Sequence, residues 1–387
     1  MRKIVLTVLM ALGGWTAGAQ SFDFSDLEHR IGIDIRPAIT TRHHEFFRGE
    51  NASETPFSFS NSRHLQYSFR FPSGSRLREF CPTAYQGIGV ASYTFDGHCE
   101  IGHPSALYIL QGAQIARFRN DLTLDYEWNF GVTTGWKTDN LAVSTRMNAF
   151  INTALLLKWH PVPEWIFSVG ADYSHFSNGD TTLPNVGVNT FGVRLSAVYS
   201  IEGMETDISP ERRTHDVYDQ SKRISLDVVM CGAWNSEVLT YMDKEYILDG
   251  KFGVIALHLN PLYRITDKVY AGPSVDIQYN EGINLADHVA GVNPITDEIR
   301  FYRPPLSEQL AAGLSLRGEL KMPIFSINIG IGHHLRYNGK EIGGIYNVFA
   351  LKTFITENLF LHTGLKINYT DSSNNLLLGL GWRIKDR

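Results

Sequence analysis

The stretch LAAGLSLRGEL, residues 310–320, alternates between two kinds of side chain along its length. One face of an extended chain would carry Leu310, Ala312, Leu314, Leu316 and Leu320, and the other would carry Ala311, Ser315, Arg317 and Glu319. Successive side chains of a β-strand point to opposite faces, so this pattern predicts a strand with one apolar face. The same alternation recurs in 325–332, in 359–369 and in the closing run 376–384.

Alternation by itself does not separate a membrane barrel from a secreted β-sandwich. Three further features favour the barrel. The strands are roughly ten residues long, which is the length that crosses a bilayer at a tilt. Their connections alternate between short and long, and the chain closes on a strand that contains glycine and aromatic residues. We therefore predict an all-β fold: a transmembrane antiparallel β-barrel of the bacterial outer membrane.

About sixteen candidate strands can be counted along the chain. They lie near residues 29–41, 62–72, 85–95, 105–118, 122–136, 146–160, 164–177, 188–200, 223–235, 245–259, 262–280, 308–320, 324–337, 344–355, 358–370 and 374–385. We favour one large barrel of all these strands, because a closed sheet has no edges. The polar segment 201–222 divides the chain into similar halves, so two tandem eight-stranded barrels are the alternative.

The N-terminal residues and the composition of the chain limit where the protein resides and what it can bind. Arg2 and Lys3 precede an apolar run and Ala17-Gly18-Ala19, which predicts a signal peptide over 1–19. The remaining chain divides into a first barrel half over 20–200, a periplasmic linker over 201–222 and a second half over 223–387. After the signal peptide, no run reaches eighteen apolar residues, so we expect no membrane-spanning helix.

The net charge of −5 gives no basic surface for nucleic acid. Three cysteines are too few for a fold built on disulfides. We expect no metal site, because no histidine pair or cysteine pair has the spacing typical of one. The oligomeric state stays open.

The segment HFSNGDTTLPNVGVN, residues 175–189, carries the candidate chemistry. His175 and Ser177 extend the apolar row of one predicted strand, and Asn189 extends the apolar row of the next. A histidine can take the proton of a serine hydroxyl, and a third group can fix its tautomer. The plainer alternative is that these are polar residues at a membrane interface beside an ordinary loop.

Residues 175–189 resemble the signature of the lipid A 3-O-deacylase family: a histidine, an aromatic residue, Ser-Asn and a Pro-Asn-x-Gly turn. The segments QGIGVASYTF (86–95) and IGHPSALY (101–108) and the closing strands resemble larger homologues of the acyloxyacyl hydrolase type. The deacylase-like part covers roughly residues 22–200. The resemblance implies an outer-membrane serine esterase that needs no cofactor, acts on lipid A or lipopolysaccharide among the outer-membrane lipids, and faces the outer leaflet.

The resemblance also implies roles for individual residues. Ser177 would be the nucleophile and His175 the general base, with Asn178 and Gly179 as oxyanion donors. The family's best-known members have a glutamate where this chain has Asn189. Three alternatives stay open: Asn189 orients the histidine as a neutral group, Asp180 in the loop replaces it, or the departure lowers the activity.

We therefore expect an enzyme that hydrolyses an ester-linked acyl chain of lipid A. The alternatives are a catalytically silent porin or structural barrel, and an outer-membrane phospholipase. The sequence leaves open which acyl chain is removed and what length of chain is preferred.

Overall fold

A computed structural model describes most of the chain. The described residues are 24–73, 75, 78, 81–95, 99–201, 203, 223–242, 244–293, 295–322, 325–336, 344–356, 358–368 and 375–385. The predicted signal peptide 1–19 and all of the predicted linker 201–222 except residues 201 and 203 lie outside these ranges. Over the described ranges, the helices are too short or too polar to cross a bilayer.

Eight antiparallel strands form a closed sheet, which we call the first barrel. They are β1 (Glu28–Thr40), β2 (Phe59–Arg70), β3 (Tyr85–Phe95), β4 (Gly102–Arg119), β5 (Leu122–Trp136), β6 (Met147–Val162), β7 (Trp165–Ser177) and β8 (Val188–Ser200). Each strand pairs with the next along the chain, and β8 pairs back onto β1, for example through Ile33 opposite Ala197. A helical turn, α1 (Glu45–Arg48), follows β1, and 3-10 turns lie at Phe24–Asp26 and Cys99–Ile101.

A second closed sheet, the second barrel, follows with eight wall strands and two small hairpins. In chain order the strands are β9 (Ile224–Asn235), β10 (Val238–Tyr241), β11 (Lys244–Ile247), β12 (Phe252–Arg264), β13 (Val269–Asn280), β14 (Val289–Val292), β15 (Ile299–Phe301), β16 (Leu310–Lys321), β17 (Phe325–Arg336), β18 (Ile345–Phe354), β19 (Leu359–Asn368) and β20 (Asn375–Lys385). The hairpins are β10–β11 and β14–β15, and β20 pairs back onto β9 to close the wall. A helical turn, α2 (Leu306–Gln309), precedes β16, and a 3-10 turn spans Leu285–His288.

The described chain is therefore all-β and antiparallel, as the alternation predicts. The sixteen wall strands form two closed barrels of eight, which is the alternative arrangement. The single large barrel that we favoured is wrong. Closure of a sheet depends on which distant strands pair, and the alternation of side chains specifies only which face each residue takes.

One predicted pair of strands also needs correction. The sequence placed a break between 245–259 and 262–280, at Asn260-Pro261, whereas the turn follows Arg264 and β12 runs through the proline. Pro261 still pairs with Leu226 of β9. On the other side, the pairing of β12 with β13 pauses between Leu259 and Tyr263, where a proline has no N–H to donate.

Charged residues inside the first barrel are paired with one another. Arg36 donates to Asp34 at 2.8 Å and to Asp172 at 3.2 Å, and Arg194 contacts Glu127 at 2.6 Å. All five side chains are almost completely buried. A buried charge without a partner destabilises a fold by several kcal/mol, so these pairs let a polar interior exist inside an apolar wall.

The outward faces of the walls are apolar. Val169 of β7 and Leu195 of β8 stand opposite each other and are 47% and 49% exposed. The same outward alternation of aliphatic and aromatic residues recurs in both barrels, with Ile33, Leu107, Leu155, Met230, Leu316, Phe349 and Leu380 all exposed. An apolar exterior around a polar interior is typical of a barrel wall that faces lipid.

We predict that Val169→Arg, a charge in the middle of this outward face, lowers the free energy of unfolding of the barrel in lipid vesicles by about 2–4 kcal/mol. Urea titration followed by tryptophan fluorescence would measure it. The control is Leu141→Arg, because Leu141 is an exposed residue in the β5–β6 loop. This substitution should change the free energy of unfolding by less than about 0.5 kcal/mol. Equal effects of the two substitutions would contradict a lipid-facing wall.

Candidate active site

The candidate residues lie where β7 ends and β8 begins, an end of the first barrel that we call the site rim. Along β7, Tyr173 is exposed, His175 and Ser177 are half-buried, and Ser174 and Phe176 between them are buried. His175 and Ser177 therefore continue the outward row of the strand to its last residue. The sequence pattern assigns them to the same row.

Phe176 fixes the end of β7 from inside the barrel. Its side chain is completely buried between the two candidate residues. The ring stacks on Phe150 at 5.3 Å between centroids and contacts Tyr93 and Trp136 edge-on at 5.0 and 5.3 Å. Aromatic contacts of this kind add to the stability gained by burial. The inward ring thus holds the backbone from which His175 and Ser177 project on the other side.

His175 is hydrogen-bonded to Asn189 across the two strands. The two residues are paired in the β7–β8 ladder, and Nδ1 of His175 lies 2.6 Å from Oδ1 of Asn189. An amide oxygen only accepts, so the N–H of His175 lies on Nδ1 and Nε2 is left as the acceptor. A neutral histidine in this tautomer can take a proton at Nε2.

Tyr173 holds the carboxamide of Asn189 from a second direction. Its hydroxyl donates to the same Oδ1 at 2.9 Å. Two donors on one oxygen favour the amide orientation that presents oxygen, and not the NH2 group, to the histidine. Tyr173 is 40% exposed and lies one step before His175 on the outward row. The sequence places Tyr173 two residues before His175, on the same face of the strand, and gives no sign of this contact.

Asn185 connects the serine to the start of the loop. Its Nδ2 donates to Oγ of Ser177 at 2.8 Å, and its Oδ1 accepts from the backbone N–H of Asn178 at 3.2 Å. Asn185 belongs to the Pro-Asn-x-Gly turn of the signature, and the sequence alone predicts no role for it. A turn asparagine eight residues after a serine is a weak signal, and only the folded loop brings the two side chains together.

Gly187 is required at the end of this turn. Its φ of +76° lies in the left-handed region, and a Cβ there would stand 3.3 Å from Cε1 of His175 and 3.2 Å from the carbonyl oxygen of Phe176. A larger residue would therefore be strained in its backbone and would press on the histidine ring.

The turn is anchored to neighbouring loops of the same barrel. The N–H groups of Val186 and Gly187 donate to the carbonyl oxygens of Leu141 and Ala142 at 3.2 and 2.9 Å. On the other side, the N–H of Thr41 donates to the carbonyl oxygen of Asn189 at 2.9 Å. These bonds hold the turn that carries Asn185 in a fixed position above the end of β7.

The other predicted residues lie at the start of the loop. Asn178 is buried, and Gly179 and Asp180 both have left-handed backbones, with φ of +63° and +61°. Glycine adopts this conformation without cost, and aspartate is one of the few other residues enriched there. The structure thus brings His175, Ser177 and Asn189 to one row, with Asn178 bonded to the turn. For Asp180 the structure shows a left-handed backbone turn at the start of the loop.

Comparison with solved structures finds only weak similarity. The siderophore receptor PirA from Pseudomonas aeruginosa is 11% identical, with 92% of this chain and 80% of that chain covered and a TM-score of 0.25. The CymD monoaromatic hydrocarbon channel is 10% identical, with 94% and 89% covered and a TM-score of 0.20. With TM-scores this low, neither bears on how this chain is built or what it does. No curated protein matches the chain.

Comparison with protein families gives one match on each barrel. Residues 87–197 match the family described as lipid A 3-O-deacylase (PagL), and this range contains Ser177, His175 and Asn189. Residues 224–386 match the family described as acyloxyacyl hydrolase, C-terminal domain, and this range contains the wall strands of the second barrel. Because the two matches together span most of the chain, the protein belongs to the lipid A 3-O-deacylase family.

Proposed function

We propose that this protein is a serine esterase of a bacterial outer membrane that removes an ester-linked acyl chain from lipid A. The observation that carries the proposal is the 2.6 Å contact between His175 and Asn189, on the same outward row as Ser177. Family membership supports the substrate class. Water is the second substrate, and the reaction needs no cofactor.

The first half-reaction uses the serine and the histidine. Nε2 of His175 takes the proton of the Ser177 hydroxyl, and Oγ attacks the carbonyl carbon of the ester. The tetrahedral intermediate collapses when the ester C–O bond breaks, and the proton on Nε2 passes to the leaving oxygen of lipid A. In the second half-reaction His175 takes a proton from water, and the water oxygen attacks the acyl carbon. The bond between that carbon and Oγ of Ser177 then breaks, the fatty acid leaves, and His175 returns the proton to Oγ.

Asn189 orients the histidine through this cycle. Its oxygen accepts from Nδ1–H, which leaves Nε2 as the nitrogen that takes the proton. A neutral amide stabilises the transient imidazolium less than a carboxylate does, since it lacks the opposite charge. We therefore assign Asn189 a positioning role, with Tyr173 behind it.

Asn185 adds a donor to the predicted oxyanion site. Oxyanion stabilisation requires donors within about 3 Å of the position where the negative charge develops. Nδ2 of Asn185 is 2.8 Å from Oγ of Ser177, the atom that bonds to the carbonyl carbon in the reaction. The backbone N–H of Asn178 donates to the same carboxamide, which fixes the direction of its NH2 group. We propose that Asn185 acts together with Asn178 and Gly179.

The surroundings favour an enzyme on lipid over a porin. The first barrel is filled at the site rim by rings such as Tyr108, Phe150 and Phe176, which contact one another. The candidate residues instead lie outside the wall, at the end of a row of exposed apolar side chains. A membrane lipid can reach them by lateral diffusion, and its acyl chain would lie along this row. We propose that the row faces the outer leaflet.

We predict that Ser177→Ala and His175→Ala each abolish release of fatty acid from purified lipid A while the barrel still folds. Members of one catalytic unit act together, so the double variant should be no worse than either single variant. Mass spectrometry of lipid A measures the product. Ser92→Ala is the control, because Ser92 is an exposed serine on the outward face of β3.

Full activity of Ser177→Ala would contradict the proposed nucleophile. Activity of the native protein on glycerophospholipids and none on lipid A would replace the deacylase with a phospholipase.

We predict that Asn189→Ala lowers kcat by roughly 10-fold or more with little change in KM, because the histidine loses its orienting oxygen. Asn189→Glu should be tolerated or faster, since the carboxylate adds charge stabilisation. Steady-state kinetics on purified lipid A measures both. If Asp180 orients His175 instead, Asp180→Asn will reduce the rate and Asn189→Ala will leave it normal.

We predict that Asn185→Ala lowers kcat by about 10²–10³-fold, the usual loss on removing one oxyanion donor. The same kinetic assay applies, with Asn120→Ala as the control, because Asn120 lies in the β4–β5 turn at the other end of the barrel. An unchanged kcat would show that Asn185 only shapes the turn.

A further inference from the structure

Three side chains with metal-binding atoms meet inside the second barrel. They are Cys231 of β9, His258 of β12 and His362 of β19, and each offers one ligand atom within 4.8 Å of the other two. Their exposed fractions are 4%, 5% and 4%. No other group of three or more histidine, cysteine or acidic residues with this geometry occurs over the described part of the chain.

The strand register explains how they come together. Cys231 stands opposite Gly379 of β20, and Gly379 stands opposite His362. Because the residue between them has no side chain, the thiol and the imidazole can approach across two strand spacings, roughly 9–10 Å of wall. On the other side, Cys231 stands opposite Ala256, and His258 lies two residues further along the same inward face.

Three imidazole nitrogens of this cluster have no hydrogen-bond partner among the described residues. They are Nε2 of His258 and both ring nitrogens of His362. Leaving a buried polar atom without a partner costs about 1–3 kcal/mol. Such a cost is expected at a site where these atoms bind a ligand.

The other ring nitrogen of His258 is already fixed. Nδ1 lies 2.7 Å from Oδ1 of Asp276, so its N–H points at the carboxylate and Nε2 is left as the acceptor without a partner. A carboxylate behind a histidine is the usual support for a metal ligand, since it sets the tautomer and raises the basicity of the other nitrogen. Asp276 is itself held by Arg317 at 2.8 Å and by the hydroxyl of Tyr346 at 2.6 Å.

We propose that Cys231, His258 and His362 form a binding site for one thiophilic transition-metal ion inside the second barrel. One thiolate and two imidazoles are the donor set of copper and zinc sites, whereas magnesium and calcium require oxygen ligands. Ligand atoms around such an ion are about 3.5 Å apart for bonds of about 2.0–2.3 Å. Small rotations of the three side chains would close the present spacing. On binding, the Cys231 thiol loses its proton to solvent and no redox change occurs.

The charges nearby favour an ion of low charge. The buried acids Asp227, Asp276 and Glu319 share the interior with four cations, Arg317, Lys352, Lys366 and Arg383. A Cu⁺ ion with the Cys231 thiolate adds no net charge to this interior, whereas Zn²⁺ with the thiolate adds one positive charge. We therefore expect Cu⁺ to bind more tightly than Zn²⁺, and Mg²⁺ not to bind.

The experiment is a metal titration of the full chain in detergent, without oxygen and with a reductant that does not bind metal. Cu⁺ is delivered from a chromogenic chelator of known affinity, and Zn²⁺ is titrated separately. The background is Cys81→Ser/Cys99→Ser, which leaves Cys231 as the single thiol. We expect one Cu⁺ per chain in this background. Cys231→Ser and His362→Gln should each weaken binding by at least about 10-fold.

The matched control is His334→Gln, since His334 is a buried histidine of the same barrel outside the cluster. This variant should bind the metal ion as tightly as the background does. Thermal unfolding without metal shows that each variant is folded. With metal, the melting temperature should rise in the background and in His334→Gln only. The proposal is overturned if neither ion binds with a stoichiometry of one, or if Cys231→Ser and His362→Gln, both folded, bind as the background does.

Discussion

The closure of each sheet on itself is the constraint on which the rest of this structure depends. The ladder between β1 and β8 completes the first barrel, and the ladder between β9 and β20 completes the second. Once a wall is closed, its main-chain groups are paired within it, and its side chains can only point outward or inward. The outward apolar rows and the inward charged pairs, such as Arg194 with Glu127, follow from that division.

The proposed active site uses the same division at its margin. Parity places His175, Ser177 and Asn189 outside the wall, and their position at the rim lets loop residues reach them. The wall positions the histidine and its orienting amide, while the turn at 184–187 supplies Asn185. A site of this kind combines the rigidity of paired strands with hydrogen-bond donors from a loop. A strand alone cannot supply such donors next to Ser177, because neighbouring residues of a strand project from opposite faces.

How much the sequence predicts depends on the range of each interaction. Alternation is local, so it predicts the wall strands and places Ser177 and His175 on one face. Pairing between distant strands is not local, so two barrels were not distinguished from one, and the break at Pro261 was misplaced. Tyr173 and Asn185 were missed as neighbours of the candidate residues, because their contacts arise from pairing and from loop folding. Likewise, Cys231, His258 and His362 lie on three different strands, so their spacing in the sequence does not indicate a metal site.

Separate closure has a consequence for assembly. In each barrel the last pairing joins the first wall strand to the final one, which are the contacts of greatest sequence separation within that sheet. Bringing such distant segments together carries the largest entropy of loop formation, so it is the slow event in folding a β-sheet. Two sheets that close independently divide this event into two, each over about half the chain. The closure of one barrel then does not depend on the closure of the other. Each closure brings together strands with a smaller sequence separation than a single barrel of sixteen strands would require.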